Sequence, residues 1–366
     1  MWRKAILIAL TVPSEFDFLQ SSEETQEQQK AYLHWKGYDR RLDTWVEWSK
    51  IKKYTTDVTD SDYDLESLES DGHEGIDKNY LLSHVEVTKF KSIESIRLGR
   101  YIISCWYFSP YPKHVQNSKC LYLCEYCLAF FRFESEILQH KQRCALRHPP
   151  GNEIYRHNNL SVWEVDGGLA RVYCENLCYL SKLFLDHKTL KHPVNLFLFY
   201  ILTEKNDYGF EIVGYFSREK YSYNNVSCIL VLPQCQRKGF GQFMIAFSYL
   251  LSLRRERRGT PERPLSDLGR VSYESFWKEN ILRSITESNN ISLNALAAEL
   301  AFDIKDIQHT LTINELLQKE PHTGEFFLYI PEHLNFDKDS KKHITFEELL
   351  HWTPYDCCMS SYEYSG

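Results

Sequence analysis

At 366 residues and 43.4 kDa the chain has room for two or three domains of about 150 residues each. Hydrophobic residues make up 43%, charged residues 25% and aromatics 14%, the balance of a globular chain with large-residue cores. The formal charge of −7, from 43 basic and 50 acidic residues, argues against holding nucleic acid by bulk positive charge, and no apolar run is long enough to span a bilayer.

The first residues carry a basic pair, Arg3-Lys4, inside an apolar stretch with no small-residue cleavage site after it, so no signal peptide is expected. An apolar run over residues 2–10 and the segment AYLHWKGYDRRLDTWVEW (31–48) make a small front β module, residues 1–53. The second segment reads as two short strands around a Gly37-Tyr38-Asp39 turn, with aromatics at Tyr32, Trp35, Trp45 and Trp48. These rings either pack a marginal core or offer an aromatic cage to a cation. The module lacks an expected first strand before Trp2, so it is expected to be incomplete. Residues 57–77 hold nine acidic residues and neither Lys nor Arg, the composition of a disordered linker, placed at 54–84. Without that block 43 basic residues face 41 acidic ones, and the net charge becomes +2.

The rear module is expected over residues 85–354, with a tail at 355–366. Residues 161–173 (SVWEVDGGLARVY) read as a hairpin around Asp166-Gly167, and residues 177–186 have helical apolar spacing. Strands are expected at 196–202, 211–216 and 226–232, followed by a long amphipathic helix at 242–258. Helices are expected at 274–283, 293–300 and 304–318, then strand-like runs at 325–329 and 343–346.

Eleven cysteines, an odd and clustered set, suit metal or thiol chemistry inside the cell better than a disulfide framework. Cys124, Cys127, His140 and Cys144 form a C-x2-C-x12-H-x3-C pattern. The CxxC sits on a tight turn and the His/Cys pair one helical turn apart, so four ligands converge on a zinc ion. Phe130, Phe131, Phe133 and Leu138 supply the apolar packing. Four protein ligands leave no open position, so the zinc is expected to be structural rather than catalytic. A DNA-reading finger using Lys141, Arg143 and Arg147 is the alternative, weakened by how few cations the finger holds. Cys120 is a competing thiol with poorer spacing.

The strand Cys228-Ile-Leu-Val-Leu232 runs into Pro233-Gln-Cys-Gln-Arg-Lys-Gly-Phe-Gly241 and then the long helix. Gly239 and Gly241 let successive N–H groups point into one concavity, and the helix N-terminus adds its partial positive charge, a site for a pyrophosphate. Arg237 and Lys238 reinforce it. The loop lacks both the GK[ST] ending of a P-loop and the full GxGxxG of a dinucleotide fold, and it suits the diphosphate of coenzyme A.

From about residue 95 to 354 the chain resembles the MYST family of histone (lysine) acetyltransferases. The likeness rests on WYFSPYP (106–112), the zinc pattern, RHPPGNEIYR (147–156), YCENLCYLSKLFLDHKTL (173–190), GYFSREK (214–220), CILVLPQCQRKGFG (228–241) and GTPERPLSDLG (259–269). The segment YLHWKGYDRRLDTWVEW resembles the family's chromobarrel. The resemblance implies an α+β fold: a GNAT-type acetyl-CoA-binding core (149–270), a zinc-finger module (118–148) and a helix-turn-helix-like C-terminal part (271–354), behind a chromobarrel-like β module. It implies acetyl transfer from acetyl-CoA to a histone lysine, with Glu262 as general base and Cys228 beside it. Acetyl-CoA contacts carry over to Ile229, Leu230, Val231, Gln236, Arg237, Lys238, Gly239, Phe240, Gly241, Gln242, Ser266 and Ser275, and the lysine that becomes acetylated to Lys188. It further implies nucleosomal substrates, membership of a chromatin acetyltransferase complex and a nuclear location. Departures from the family's usual residues fall at Glu175, residues 191–193, Leu250 and Thr260.

The chemistry supports these roles on its own terms. A lysine with a pKa near ~10.4 is almost wholly protonated at neutral pH, so exposing its lone pair costs ~4–5 kcal/mol, and an adjacent carboxylate can take the proton. No His lies next to Cys228 in sequence to activate the thiol, which favours direct attack by the amine over an acyl-cysteine route. The competing class is a non-catalytic chromatin or nucleic-acid binder built from the finger and the helices at 293–318. The second of those helices carries Asp306 and Glu315 and few cations, so direct specific DNA binding is not expected. Acetylation of a small-molecule amine is a third option.

Overall fold

The computed structural model describes residues 5–11, 30–35, 44–47, 50–51, 92–287, 292–319, 326–328 and 345–354. The acidic block 57–77, Trp48 and the Gly37-Tyr38-Asp39 turn lie outside them.

Two antiparallel-rich sheets organise the chain. The first contains β1 (Ala5–Thr11), β2 (Lys30–Trp35), β3 (Thr44–Glu47), β4 (Ser95–Leu98), β5 (Tyr101–Ser104), β6 (Cys120–Leu123) and β7 (Phe130–Phe131), in the order β3-β2-β1-β5-β4-β6-β7. The front and rear segments therefore share one sheet. Pairing with β2 satisfies one edge of β1, and the other edge is met by β5 in antiparallel register, Ala9 opposite Ile103. Tyr32 is only 1% exposed, its ring 5.3 Å from that of Trp45, which stands 6.3 Å from Tyr101. Tyr32 and Trp45 are packing residues of this joint.

The second sheet holds β8 (Asn152–His157), β9 (Leu160–Asp166), β10 (Phe197–Asn206), β11 (Gly209–Glu219) and β12 (Cys228–Val231), in the order β12-β11-β10-β9-β8. β8 and β9 form a hairpin whose tip is Asn158, with φ 55°. The hairpin expected at Asp166-Gly167 does not form. Asp166 Oδ1 accepts from Gly168 N–H at 2.7 Å, and its carbonyl accepts from Ala170 N–H at 2.8 Å. That turn starts α2 (Arg171–Lys182) instead, six residues ahead of the expected helix start. Tyr173, Cys174, Leu177, Leu180 and Ser181 repeat at three- and four-residue intervals and form its buried face.

The long helix expected to be amphipathic is α3 (Phe240–Arg254), and it is buried on two sides. Phe243, Phe247 and Leu251 pack under the second sheet, while Ile245 and Tyr249 pack into a cluster with Tyr273, Trp277 and Ile281 from α4 (Asp267–Glu287). A helix between two layers needs no polar face, which explains its near-continuous apolar sequence. α5 (Leu293–Leu300) is capped by Ser292 and α6 (Ile304–Ile313) by Asp303, each side chain accepting from a first-turn N–H. α6 stops short of the expected 318, because Glu315 turns the backbone at φ 56° and Leu317–Lys319 becomes β13. β13 pairs with β14 (Phe326–Leu328), so the partner of the expected strand at 325–329 is 317–319. Of the strand-like run expected at 343–346, residues 343–344 lie outside the described residues, and 345–346 are not in a strand. The C-terminal part is thus a helix-turn-helix followed by a two-stranded wing. No helix among the described residues is long and apolar enough to cross a membrane.

Candidate active site and metal centre

The metal ligands are assembled by local folding. β6 and β7 pair Leu123 with Phe130, closing a knuckle in which Cys124 N–H donates to Ala129 and Leu128 N–H to the Cys124 carbonyl, both at 2.9 Å. That turn presents Cys124 and Cys127 together. The helix α1 (Glu134–Lys141) starts where the Glu136 carboxylate accepts Phe133 N–H at 3.0 Å, and it carries His140 at its end. Cys144 N–H then donates to the His140 carbonyl at 2.8 Å, one turn on. The four ligand atoms lie within 4.8 Å of one another, with Cys124 Sγ to Cys144 Sγ at 3.9 Å and Cys127 Sγ to His140 Nε2 at 3.2 Å. Zn–S bonds of about 2.3 Å in a tetrahedron put two sulfurs about 3.8 Å apart, so the donor set fits zinc. Cys120 is outside this group.

The cofactor loop follows β12, an edge strand paired only with β11 within its sheet. Its register sets Tyr215 opposite Leu230 and Ser217 opposite Cys228. After β12 a 3-10 turn, Pro233–Cys235, leads to Gln236, whose Nε2 donates back to the Val231 carbonyl at 3.1 Å and pins the loop to the strand. Arg237 and Gly239 both adopt positive φ, 64° and 86°. Such a run curls backbone N–H groups toward one side, against the N-terminus of α3, where the first-turn amides lack helical acceptors. Arg237 and Lys238 are exposed beside it. Gln242 Nε2 donates to the Ser272 carbonyl at 3.0 Å, tying the loop's end to α4. Ser266 stands at the start of that helix, where its Oγ accepts Gly269 N–H at 3.1 Å, and Ser275 is exposed one turn beyond Ser272.

Glu262 is fixed by main-chain bonds on either side. Asn225 N–H donates to the Thr260 carbonyl at 3.0 Å and Glu262 N–H to the Val226 carbonyl at 2.8 Å, so residues 260–262 run beside the chain leading into β12. Gly259 has to be glycine, since a Cβ there would lie 2.7–2.8 Å from the Asn225 side chain. Arg263 anchors the far end through an ion pair to the buried Asp306, 2.6 Å, and its guanidinium lies 5.9 Å from the Trp277 ring. The Glu262 side chain is exposed. Cys228 opens β12 two residues past Val226, half-buried, with its sulfur 3.3 Å from the Tyr215 hydroxyl. Lys188 reaches the same place, Nζ 5.9 Å from the Tyr215 ring. Burial works against its charge, while Cys228, Tyr215 and Cys178 act the other way and hold its pKa above the usual lysine range.

The structure thus gathers Cys228, Ile229, Leu230, Val231, the loop 236–242 and the Glu262 segment along one edge strand, with Ser266 and Ser275 on the neighbouring helix and Lys188 at Tyr215. The zinc ligands belong to the other sheet. Sequence reasoning missed Tyr215, Ser181, Asn225 and the Arg263–Asp306 pair. No short spacing marks their contacts, because Ser181–Tyr215, Asn225–Thr260 and Arg263–Asp306 each join stretches of chain 34 or more residues apart.

An edge strand feeding a glycine loop and helix, a carboxylate loop alongside it and a separate four-ligand zinc module define an α+β acetyltransferase with a zinc finger. Residues 148–348 match the MOZ/SAS family, residues 90–144 the MYST family zinc finger domain, and residues 17–53 the RNA binding activity-knot of a chromodomain. The chain is 42% identical over 349 residues to the putative MYST-like histone acetyltransferase 1 of Oryza sativa subsp. japonica, covering 88% of this chain and 77% of the relative. It is 43% identical over 279 residues to histone acetyltransferase esa-1 of Neurospora crassa, 74% of this chain and 55% of that one. With human histone acetyltransferase KAT6A it shares 46% over 269 residues, 71% of this chain and 13% of that protein. The chain belongs to the MYST family of histone acetyltransferases.

Proposed function

We propose that this protein transfers the acetyl group of acetyl-CoA to the ε-amine of a histone-tail lysine, with Glu262 as general base. The observation that carries this reading is the hydrogen bond from Glu262 N–H to the Val226 carbonyl, 2.8 Å, which seats the carboxylate loop on the segment leading into β12, two residues before Cys228. Base and cofactor loop then share one rigid edge. The residues of the loop suit the diphosphate, with the amides of residues 237–242 and the cations Arg237 and Lys238. The free edge of β12 (Ile229, Leu230, Val231) suits the amides of the pantetheine arm, as an added strand would pair there. Gln236, Phe240, Gly241, Gln242, Ser266 and Ser275 complete the contacts.

In the transfer, Glu262 takes a proton from the lysine ammonium, directly or through water. The amine nitrogen attacks the thioester carbon, the nitrogen gives up its second proton as the C–S bond breaks, and coenzyme A leaves as a thiolate that takes up a proton to become the thiol. Cys228 lines the acetyl end of the site, and Lys188 is the candidate for acetylation of the enzyme itself. Zinc on Cys124, Cys127, His140 and Cys144 has a structural role, since four protein ligands leave no position for substrate. The protein works on nucleosomes in the nucleus, as part of a chromatin acetyltransferase complex. The exposed positions of α6 are Lys305, Gln308, His309, Thr312 and Ile313, a face with one lysine, so specific DNA binding by this helix is not expected.

Labelled acetyl-CoA offered with core histones, free polyamines or DNA tests the reading. Label is expected on histone lysines. Label confined to polyamines, or DNA binding without acetyl transfer, would overturn it. Cys228→Ala is expected to keep activity within about tenfold of wild type, because the amine attacks directly; an inactive variant that still binds acetyl-CoA would restore the acyl-cysteine route.

A further inference from the structure

We infer that Tyr221 and Tyr223 form a docking surface for basic side chains flanking the acceptor lysine of the substrate. The inference rests on the reading that acetyl-CoA lies along β12. Both tyrosines stand on the loop 220–227 between β11 and β12, 71% and 90% exposed, the two most exposed aromatic side chains among the described residues. Rings this open to water contribute little to the core, and their faces are free to meet a ligand.

The loop that carries them is fixed at both ends. Lys220 N–H donates to the Leu196 carbonyl at 2.9 Å, and Lys220 Nζ lies 2.9 Å from Asp166 Oδ1. Ser222 Oγ accepts Asn224 N–H at 3.1 Å, Asn225 N–H donates to the Thr260 carbonyl at 3.0 Å, and Ser227 N–H to the Ser217 carbonyl at 2.7 Å. A loop already ordered loses little freedom when a peptide docks on it.

Its position follows from the direction of β12. Residues 237–242 take the diphosphate at one end of the strand, and Cys228 opens the other, four residues or about 13 Å of chain. The acceptor lysine therefore arrives from beyond Cys228, where Asn225 and Val226 seat the Glu262 segment. Tyr223 lies two residues before Asn225, at most ~7 Å along the chain, and Tyr221 two residues further. Both rings thus flank the approach to Glu262.

The charge around them suits a basic tail. Glu219 and Glu262 are exposed, while the cations of the two segments are engaged, Lys220 with Asp166 and Arg263 with Asp306. In the basic run 254–258, Arg254 reaches Glu347 and Arg258 the Asn294 carbonyl. A guanidinium or ammonium over a tyrosine face is drawn by the ring quadrupole, and the two carboxylates add attraction at longer range.

Two peptides with blocked N-termini test this, each with one acceptor lysine, one flanked by arginines and the other by serines. The wild-type protein is expected to prefer the arginine peptide in kcat/KM. Tyr221→Ala/Tyr223→Ala should cut that preference about fivefold or more, mainly through KM, the size of two exposed cation–π contacts. Tyr221→Phe/Tyr223→Phe keeps both ring faces and should hold the preference within about twofold of wild type. Both positions are exposed, so the variants are expected to fold and to bind acetyl-CoA within about twofold of wild type. A wild-type protein with no preference, or an alanine variant that keeps it, overturns the inference. So does an equal loss in the phenylalanine variant, or a change of oligomeric state in the alanine variant, which would assign the rings to contact between copies. Acetyl transfer to neither peptide would instead remove the acetyl-transfer reading. Docking would then be decided by fluorescence anisotropy of the labelled arginine peptide, whose Kd should rise about fivefold or more in the alanine variant. An unchanged Kd overturns the docking surface.

Discussion

Glu262→Gln is expected to lower kcat by about 10²- to 10⁴-fold at neutral pH while acetyl-CoA affinity stays within about twofold. Glutamine keeps the shape of the side chain and removes the base. The loop itself should be unaffected, since it is held by main-chain bonds to Asn225 and Val226 and by the Arg263–Asp306 pair, none of which uses the Glu262 carboxylate. Without a base only lysine that has already lost its proton can attack. The residual rate should therefore climb about tenfold per pH unit until the amine titrates near ~10.4. Turnover at the wild-type rate at pH 7.5, or a flat pH profile in the variant, would remove Glu262 from the mechanism.

Cys144→Ser is expected to lower bound zinc well below the one ion per chain that the four-ligand set can hold, and to lower the melting temperature by about 5 °C or more. The effect should not stay inside the finger. Cys124 begins the turn that closes β6 against β7, and β6 is a member of the sheet that also contains β1 and β5. Phe130 packs edge-on against Tyr111, 5.0 Å between ring centres, and both join the main core. On the other side Gly209 abuts the zinc module so closely that a Cβ would lie 2.5 Å from the Arg147 carbonyl and 2.7 Å from the Tyr126 ring. Metal content by atomic absorption and thermal unfolding by calorimetry give the two readouts. A variant with full zinc and an unchanged midpoint would show that Cys144 is not a ligand.

Much of the site was legible because its parts are contiguous in sequence. The zinc ligands lie within 21 residues, and turn plus helix are enough to converge them. The cofactor loop likewise carries its own signal, two glycines between a strand and a helix. The errors fall where one stretch satisfies two local readings. DGG after a strand is as good a start for α2 as it is a hairpin turn, and the choice depends on Gly167 lying against the Val194 backbone, where a Cβ would be 1.9 Å from a carbonyl oxygen. Apolar positions around all of α3 show burial on two sides only once a sheet and a helical cluster are seen on either flank.

By itself the sequence determined the zinc ligand set and the glycine loop, because each is written in side-chain types at fixed short spacings; the family followed from its longer strings, and Glu262 as candidate base only from that resemblance. Only the tertiary structure decided that β1 completes its pairing on β5, that Asn225 and Val226 seat the Glu262 loop, and that Ser181 reaches Tyr215 and through it Cys228. Those contacts join residues 34 to 94 positions apart, apart from the neighbouring Tyr215–Cys228 pair, and depend on strand order and helix rotation. Spacing along a chain encodes what one turn or one helix can bring together; it does not encode which distant backbone will supply a missing edge.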